Sequence, residues 1–337
     1  MADNIRFSII GFGNIGRRHA EHILQNPDTA LIAVCDIDPE VKTKLPEGVK
    51  FYTDIQEMLQ HEPCDVVAVC TPNYLHEQHT IIALKAGRHT VVEKPMAMSV
   101  AEADRMIAAS KEAGKIIFAV KQNSYNPPVQ AVKKLIAQHE LGEIYMMQVN
   151  CFWNRGDAYY KESDWRGKKL KDGGCLFTQF SHFVDILYYL NGKIRNVEGW
   201  IHNFAHRHNT EVEDTGCFVM KAENNAIINF NFTTSSYEQN MEGSITIFAE
   251  KGTVKIGGQY LNTIEYQKIK DITLPDINIS AKANDYGLYK GSMSNHDKLI
   301  QNVVDVLHHN QPVMTSAEEG RDVVHIIEQM YAGVLKR

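Results

Sequence analysis

Acid–base chemistry is best served in this 337-residue chain by two stretches, Glu93-Lys94-Pro95 and Asp172-Gly173-Gly174-Cys175-Leu176-Phe177-Thr178-Gln179-Phe180-Ser181-His182-Phe183-Val184-Asp185. A lysine amine buried beside a cationic ring loses basicity and can exchange a proton with a substrate hydroxyl. An imidazole titrates near neutrality with no perturbation at all. The paired glycines open a helix on which Thr178 and His182 are four apart and share one face. Asp185, three residues on, either orients His182 or caps another element. Plainer readings stand beside these: Lys94 as a solvated lysine at a strand end, and His182 as a satisfied core histidine in an apolar helix.

A second kind of chemistry, the cradling of a diphosphate, is suggested by Gly11-Phe12-Gly13-Asn14-Ile15-Gly16, between an apolar strand at 7–10 and a helix continuing through Arg17 and His19. In such a turn the first glycine permits the bend, the second lets the backbone approach a pyrophosphate, and the third lets helix and strand pack closely. The helix N-terminus then faces the phosphates. Asp36 ends the next strand, where a carboxylate accepts from ribose hydroxyls and repels a 2′-phosphate, so NAD is expected rather than NADP. The further motifs that FAD would need are missing. Thr71, Pro72, Asn73 and His76 follow the strand at 66–69, at the carboxyl edge where open α/β sheets bind ligands. They join Phe12, Asn14, Ile15, Glu93 and Lys94 as expected cofactor contacts, and Gln122 completes the set. His76 and His79 lack the i, i+4 spacing of a zinc helix, and no metal is expected.

The elements that must position these groups follow from hydrophobic periodicity. Over residues 6–122 short continuous apolar runs (7–11, 31–36, 66–71, 90–93, 116–120) alternate with helical patterns, which implies a doubly wound parallel sheet of Rossmann type. Beyond it, a helix at 127–137 begins at Asn126-Pro127-Pro128. Longer alternating strands follow at 144–152, 196–202, 213–221, 226–234 and 244–249, with a helix at 174–190 between the first two and Gly192 as its C-cap. Two helices, 296–308 and 317–335, close the chain. The fold class is therefore α/β, with a dinucleotide-binding domain at 1–123 and an α+β domain at 124–337 built on a large, mainly antiparallel open sheet. Phe230, Phe232 and Ile247 either line a subunit interface on that sheet or face the domain's own helices.

Composition narrows the function classes. A net charge of −6 with lysines and arginines scattered along the chain opposes a nucleic-acid partner. The N-terminus enters a strand directly, without the pattern of a secretory signal, and no apolar run approaches the roughly 20 residues of a membrane span. A cytoplasmic enzyme is expected, with no membrane partner. Cys35, Cys64, Cys70, Cys151, Cys175 and Cys217 are dispersed, with no C-x-x-C pair, and read as buried small hydrophobes.

The glycine turn, Asp36, the stretch 70–76, Glu93-Lys94-Pro95 and 173–185, in this order and spacing, resemble the glucose-fructose oxidoreductase/inositol dehydrogenase/rhizopine catabolism (Gfo/Idh/MocA) family over essentially the whole chain. The resemblance implies hydride transfer from a sugar or cyclitol carbon to NAD, with Lys94 and His182 flanking the reacting hydroxyl as the catalytic pair. Many members carry an aspartate four residues before the histidine. Here Thr178 stands in its place, which puts a carboxylate relay to the lysine in question and leaves Thr178 to hydrogen-bond substrate. Trp153-Asn154-Arg155, Tyr159-Tyr160 and Asp164-Trp165-Arg166, with Thr178, are similar to members that oxidise the 3-hydroxyl of UDP-N-acetylglucosamine-type sugars, notably UDP-N-acetylglucosaminuronate 3-dehydrogenases of surface-polysaccharide synthesis. Such a substrate would meet cations at Lys121, Arg155 and Arg166 and stack on Tyr159 and Trp165. A free-sugar or inositol dehydrogenase and a non-catalytic NAD-binding regulator are the alternatives. The family implies a homodimer or homotetramer formed through the second domain's sheet.

Overall fold

Strand β1 (Ile5–Ile10) is buried at five of its six positions, as a strand covered on both faces must be. It lies at the centre of a six-stranded sheet in the computed structural model, which describes residues 4–275, 277, 283–285, 287 and 290–335. The other strands are β2 (Thr29–Cys35), β3 (Lys50–Tyr52), β4 (Val66–Val69), β5 (His89–Val92) and β6 (Ile117–Ala119). All pair in parallel in the order β3-β2-β1-β4-β5-β6. The order reverses between β1 and β4, so the crevice for a dinucleotide opens beyond their carboxyl ends. Helices α1 (Asn14–Gln25), α2 (Ile55–His61), α3 (His76–Lys85) and α4 (Val100–Ala113) make the crossovers. Helix α4 starts where the Ser99 hydroxyl accepts from Glu102 N–H and the Glu102 carboxylate returns to Met98 N–H, and it stops at left-handed Gly114.

The second sheet has seven strands: β7 (Ile144–Phe152), β8 (Ile194–His202), β9 (Thr215–Ala222), β10 (Ile227–Thr233), β11 (Glu242–Ala249), β12 (Gly252–Gly257) and β13 (Thr263–Ile269). Their order is β13-β12-β11-β7-β10-β9-β8, antiparallel except where β7 meets β10. Helix α5 (Pro127–Ala137) precedes the sheet. Four short helices, α6 (Asp157–Lys161), α7 (Lys169–Asp172), α8 (Cys175–Thr178) and α9 (Ser181–Asn191), lie in the chain between β7 and β8. Phe230, Phe232 and Ile247 are fully buried, and Phe180 packs on Phe232 with ring centroids 5.2 Å apart. These side chains therefore face the domain's own helices, which settles the alternative left by the sequence. Each buried phenylalanine contributes about 2–3 kcal/mol.

Two expectations change. The single helix at 174–190 is two helices: Cys175 O accepts from both Gln179 N and Phe180 N, a wide turn that ends α8 and starts α9 in a new direction. The cause is packing, because Phe180 must reach the Trp153–Phe183–Phe232 cluster while Gln179 turns to Arg155. Thr178 and His182 thus stand on different helices. The second change concerns the division of the chain. By packing, the first compact unit is the chain through Val120 together with His296–Val324, and the second is Lys121–Asn295 with the residues from His325 onward. Helix α10 (His296–His309) is the reason: its buried Leu299, Ile300 and Val303 form an apolar stripe, and it packs on α1. The last helix is α11 (Ala317–Ala332).

Candidate active site

In the first unit the glycine turn has the three environments a dinucleotide requires. Gly11 has φ +88°, and a Cβ there would stand 2.8 Å from Cys70 O. At Gly16 a Cβ would meet Gly11 O at 2.1 Å, so helix and strand touch only because the side chain is missing. At Gly13 a Cβ would meet nothing within 4 Å, and that open side is where a pyrophosphate can approach the backbone. One Asp36 oxygen accepts Phe12 N–H at 2.5 Å and the other accepts Asp38 N–H at 2.9 Å. Two lone-pair positions per oxygen leave acceptors for ribose hydroxyls. Ile37, which sequence reasoning passed over, is 93% exposed beside them and offers an apolar surface for the adenine. These residues fit NAD. Asp36→Ala is expected to raise the KM for NAD about 10- to 100-fold, two charge-assisted hydrogen bonds being lost, with a smaller change in kcat. Steady-state kinetics with NAD and NADP checks it, and an unchanged KM would contradict the role.

His76, expected as a cofactor contact, opens helix α3. Its ring is buried between Pro95 O at 2.7 Å and Thr71 O at 2.8 Å, so it braces the two loops against each other. Burial pushes its pKa down, and the neutral ring donates to one carbonyl at a time. His79, its pKa pushed down to about 4 by burial, bonds the Thr71 hydroxyl. Asn73 is buried in the same loop.

Glu93 is buried beneath this edge. One of its oxygens lies 2.8 Å from His19 Nε2 and 3.4 Å from His296 Nε2, and the other accepts Lys94 N–H at 3.1 Å. Burial opposes its charge, but the hydrogen bond with His19 and the neighbouring His296 imidazole outweigh burial and hold the carboxyl well below the usual range. The three groups could gather a metal by proximity, all ligand atoms lying within 4.8 Å. The 2.8 Å contact, however, is a direct hydrogen bond between imidazole and carboxylate, shorter than two ligands of one zinc ion normally approach. The trio fixes the backbone from which Lys94, part-buried, projects.

In the second unit, Thr178 and His182 are both buried. The Thr178 hydroxyl donates to the Asp172 carboxylate, which also accepts Gly167 N–H. A carboxylate is therefore present behind Thr178, supplied from α7 rather than from position 178 itself. Asp185 pairs with Lys121, Oδ1 to Nζ at 2.7 Å, and accepts the Ser124 hydroxyl at 3.2 Å. Lys121, expected at the substrate, thus lies in a buried ion pair, with its amine 5.5 Å from the centre of the Tyr188 ring. Gln122 donates to the Ser292 hydroxyl, while its buried side-chain oxygen has no partner among the described residues.

Arg155 is also turned inward. It is 1% exposed and donates to Gln179, Asn154 O, Asn240 and Lys290 O, with Trp153 and Tyr159 against its guanidinium. It acts as the framework of this region. Tyr159 is buried and its hydroxyl accepts from Gln179. Arg166 lies over Tyr159 at 4.3 Å and near Trp165 at 5.8 Å, so these three form one cation–aromatic group.

The pattern described as "Oxidoreductase family, NAD-binding Rossmann fold" matches residues 5–121, and that of the "GFO/IDH/MocA C-terminal domain" matches 129–255. The chain belongs to the Gfo/Idh/MocA family. Within that family it is similar to the WlbA dehydrogenase of Bordetella pertussis, solved with NADH and UDP-GlcNAcA: 35% identity, TM-score 0.89, covering 98% of this chain and 96% of that one. The WlbA dehydrogenase of Chromobacterium violaceum, with the same two ligands, shares 33% identity at TM-score 0.89 over 99% and 94% of the two chains. Among curated relatives, D-glucoside 3-dehydrogenase of Escherichia coli is 31% identical over 192 residues, 56% of this chain and 54% of that one. The match spans about half the length of such curated relatives.

Proposed function

We propose that this Gfo/Idh/MocA member oxidises the 3-hydroxyl of a UDP-N-acetylglucosaminuronate-type nucleotide sugar, with NAD as oxidant, in surface-polysaccharide synthesis. The end-to-end likeness to two WlbA dehydrogenases solved with UDP-GlcNAcA carries this reading. NAD, when bound, supplies the acceptor for the hydride that leaves the carbinol carbon. Lys94 takes the hydroxyl proton as the carbonyl forms, and its main chain is held for this by Glu93. His182 hydrogen-bonds the same hydroxyl and steadies its developing charge. Thr178, its hydroxyl oriented by Asp172, hydrogen-bonds the sugar. Arg166, ion-paired with Glu162 and laid over the buried Tyr159 ring, and Trp165 beside it supply a cation and an aromatic ring for a uridine diphosphate.

The second reading, a dehydrogenase of free glycosides, is favoured by the D-glucoside 3-dehydrogenase match. NADH formation with UDP-N-acetylglucosaminuronate, UDP-N-acetylglucosamine, free glucosides and inositols separates the two. Turnover on the glucosides alone would reject the nucleotide sugar.

We also infer a homo-oligomer formed through the second unit's sheet. Trp200, Val219, Ile227, Phe248 and Tyr266 lie on the face opposite Phe230 and Phe232, and each is at least 39% exposed. An apolar patch of this kind marks an interaction surface. Trp200→Lys is expected to lower the subunit number in native mass spectrometry. Retention of the wild-type assembly would contradict the interface.

A further inference from the structure

Glu213 lies two residues before β9, buried beneath the turn that opens α8. Its Oε1 accepts Cys175 N–H at 2.8 Å and the Tyr331 hydroxyl at 2.7 Å. The Cys175 thiol donates to the main-chain oxygen of the same glutamate. Gly173 and Gly174 both have positive φ, and a Cβ on Gly174 would stand 2.1 Å from the Tyr331 hydroxyl and 3.0 Å from each Glu213 oxygen. One carboxylate therefore gathers the donors of a turn that closes only against glycine. Three residues beyond Cys175 is Thr178, and seven beyond it is His182.

We propose that Glu213 is a positioning residue of the reaction, its ionised carboxylate locking the Gly173-Gly174 turn and so the placement of Thr178 and His182. The titratable groups facing it are Tyr331 from α11 and Cys175 from α8. Burial raises the pKa of each, so both are neutral donors at ordinary pH. Burial also pushes Glu213 up, to about 7, against the bonds from the Tyr331 hydroxyl and the Cys175 peptide. An ionised carboxylate suits these donors, whereas a protonated one brings a hydrogen of its own into their midst. The lock consequently closes as pH rises through neutrality. For stability the sign is opposite: a carboxyl raised from 4.5 to about 7 stabilises the fold fully below pH 4.5, and that contribution is lost as pH rises through about 7.

The role in catalysis rests on the dehydrogenase reading, while the ionisation itself does not. Wild type, Glu213→Gln and Tyr331→Phe are compared for kcat against pH with UDP-N-acetylglucosaminuronate, for NADH affinity, and for thermal midpoint at about pH 5 and pH 8. The expected result is a wild-type limb in kcat near neutrality that is absent in Glu213→Gln, where kcat is several-fold lower at pH 8 with NADH affinity unchanged. In Tyr331→Phe the limb moves to higher pH, because a donor to the carboxylate is gone. Identical limbs in all three proteins, or a uniform loss at every pH, would overturn the proposal. If wild type reduces no NAD, the dehydrogenase reading falls by itself. The thermal curves then still decide on Glu213: a midpoint gained by Glu213→Gln over wild type between pH 5 and pH 8 sustains the buried ionisation, and parallel curves overturn it.

Discussion

Lys94→Met lowers kcat by about 10²–10⁴-fold in a NADH-formation assay, the range over which a general base acts, while NADH binding by fluorescence titration stays nearly unchanged. Methionine keeps the length and apolar stem of the side chain and removes only the amine. The loop is not expected to move, because Glu93 grips position 94 through its peptide N–H, and His19 and His296 grip Glu93. A unit that acts as base alone loses kcat and kcat/KM together. An unchanged kcat would remove Lys94 from the chemistry. A parallel collapse of cofactor binding would reassign it to holding NAD.

The second large effect belongs to Gly13→Val. Its φ of −66° and ψ of −159° lie at the border of the extended region open to L residues, and a Cβ there meets no protein atom within 4 Å. The unliganded protein should therefore still fold, melting within a few degrees of wild type. The pyrophosphate, which needs that space, should be excluded, with a loss in NADH affinity of at least about 100-fold. Gly16→Val makes the control: its Cβ would collide with Gly11 O, so it should damage the fold itself. Wild-type NADH affinity in Gly13→Val would place the phosphates elsewhere.

The part of the molecule that could be read from its residues is the part governed by local rules. Buried runs such as Val66–Val69 have no alternative to a central parallel strand, and the three glycines of the first turn act through backbone alone. What could not be read depends on partners distant in the chain. Strand β3 has three residues and holds its place only by pairing with β2, so it leaves no periodic signal. The break between α8 and α9 arises from Trp153 and Phe232 drawing Phe180 inward. His296 joins Glu93 from 203 positions away, and Asp172 takes up the Thr178 hydroxyl in a way that helical spacing does not foretell. The cations illustrate the same limit. Lys121 and Arg155 have the right chemistry for a diphosphate, yet Asp185 and Gln179 engage them first. Glu213 carried no motif at all, and only its burial under the glycine turn gives it a role.

The most direct measurement follows one deuterium atom. UDP-N-acetylglucosaminuronate labelled at C3 is incubated with the protein and NAD, and the reduced nicotinamide is weighed by mass spectrometry. Transfer of the label to NADH, slowed relative to unlabelled sugar and abolished by Lys94→Met, is the expected result. Unlabelled NADH, or none from this sugar, would contradict oxidation at that carbon.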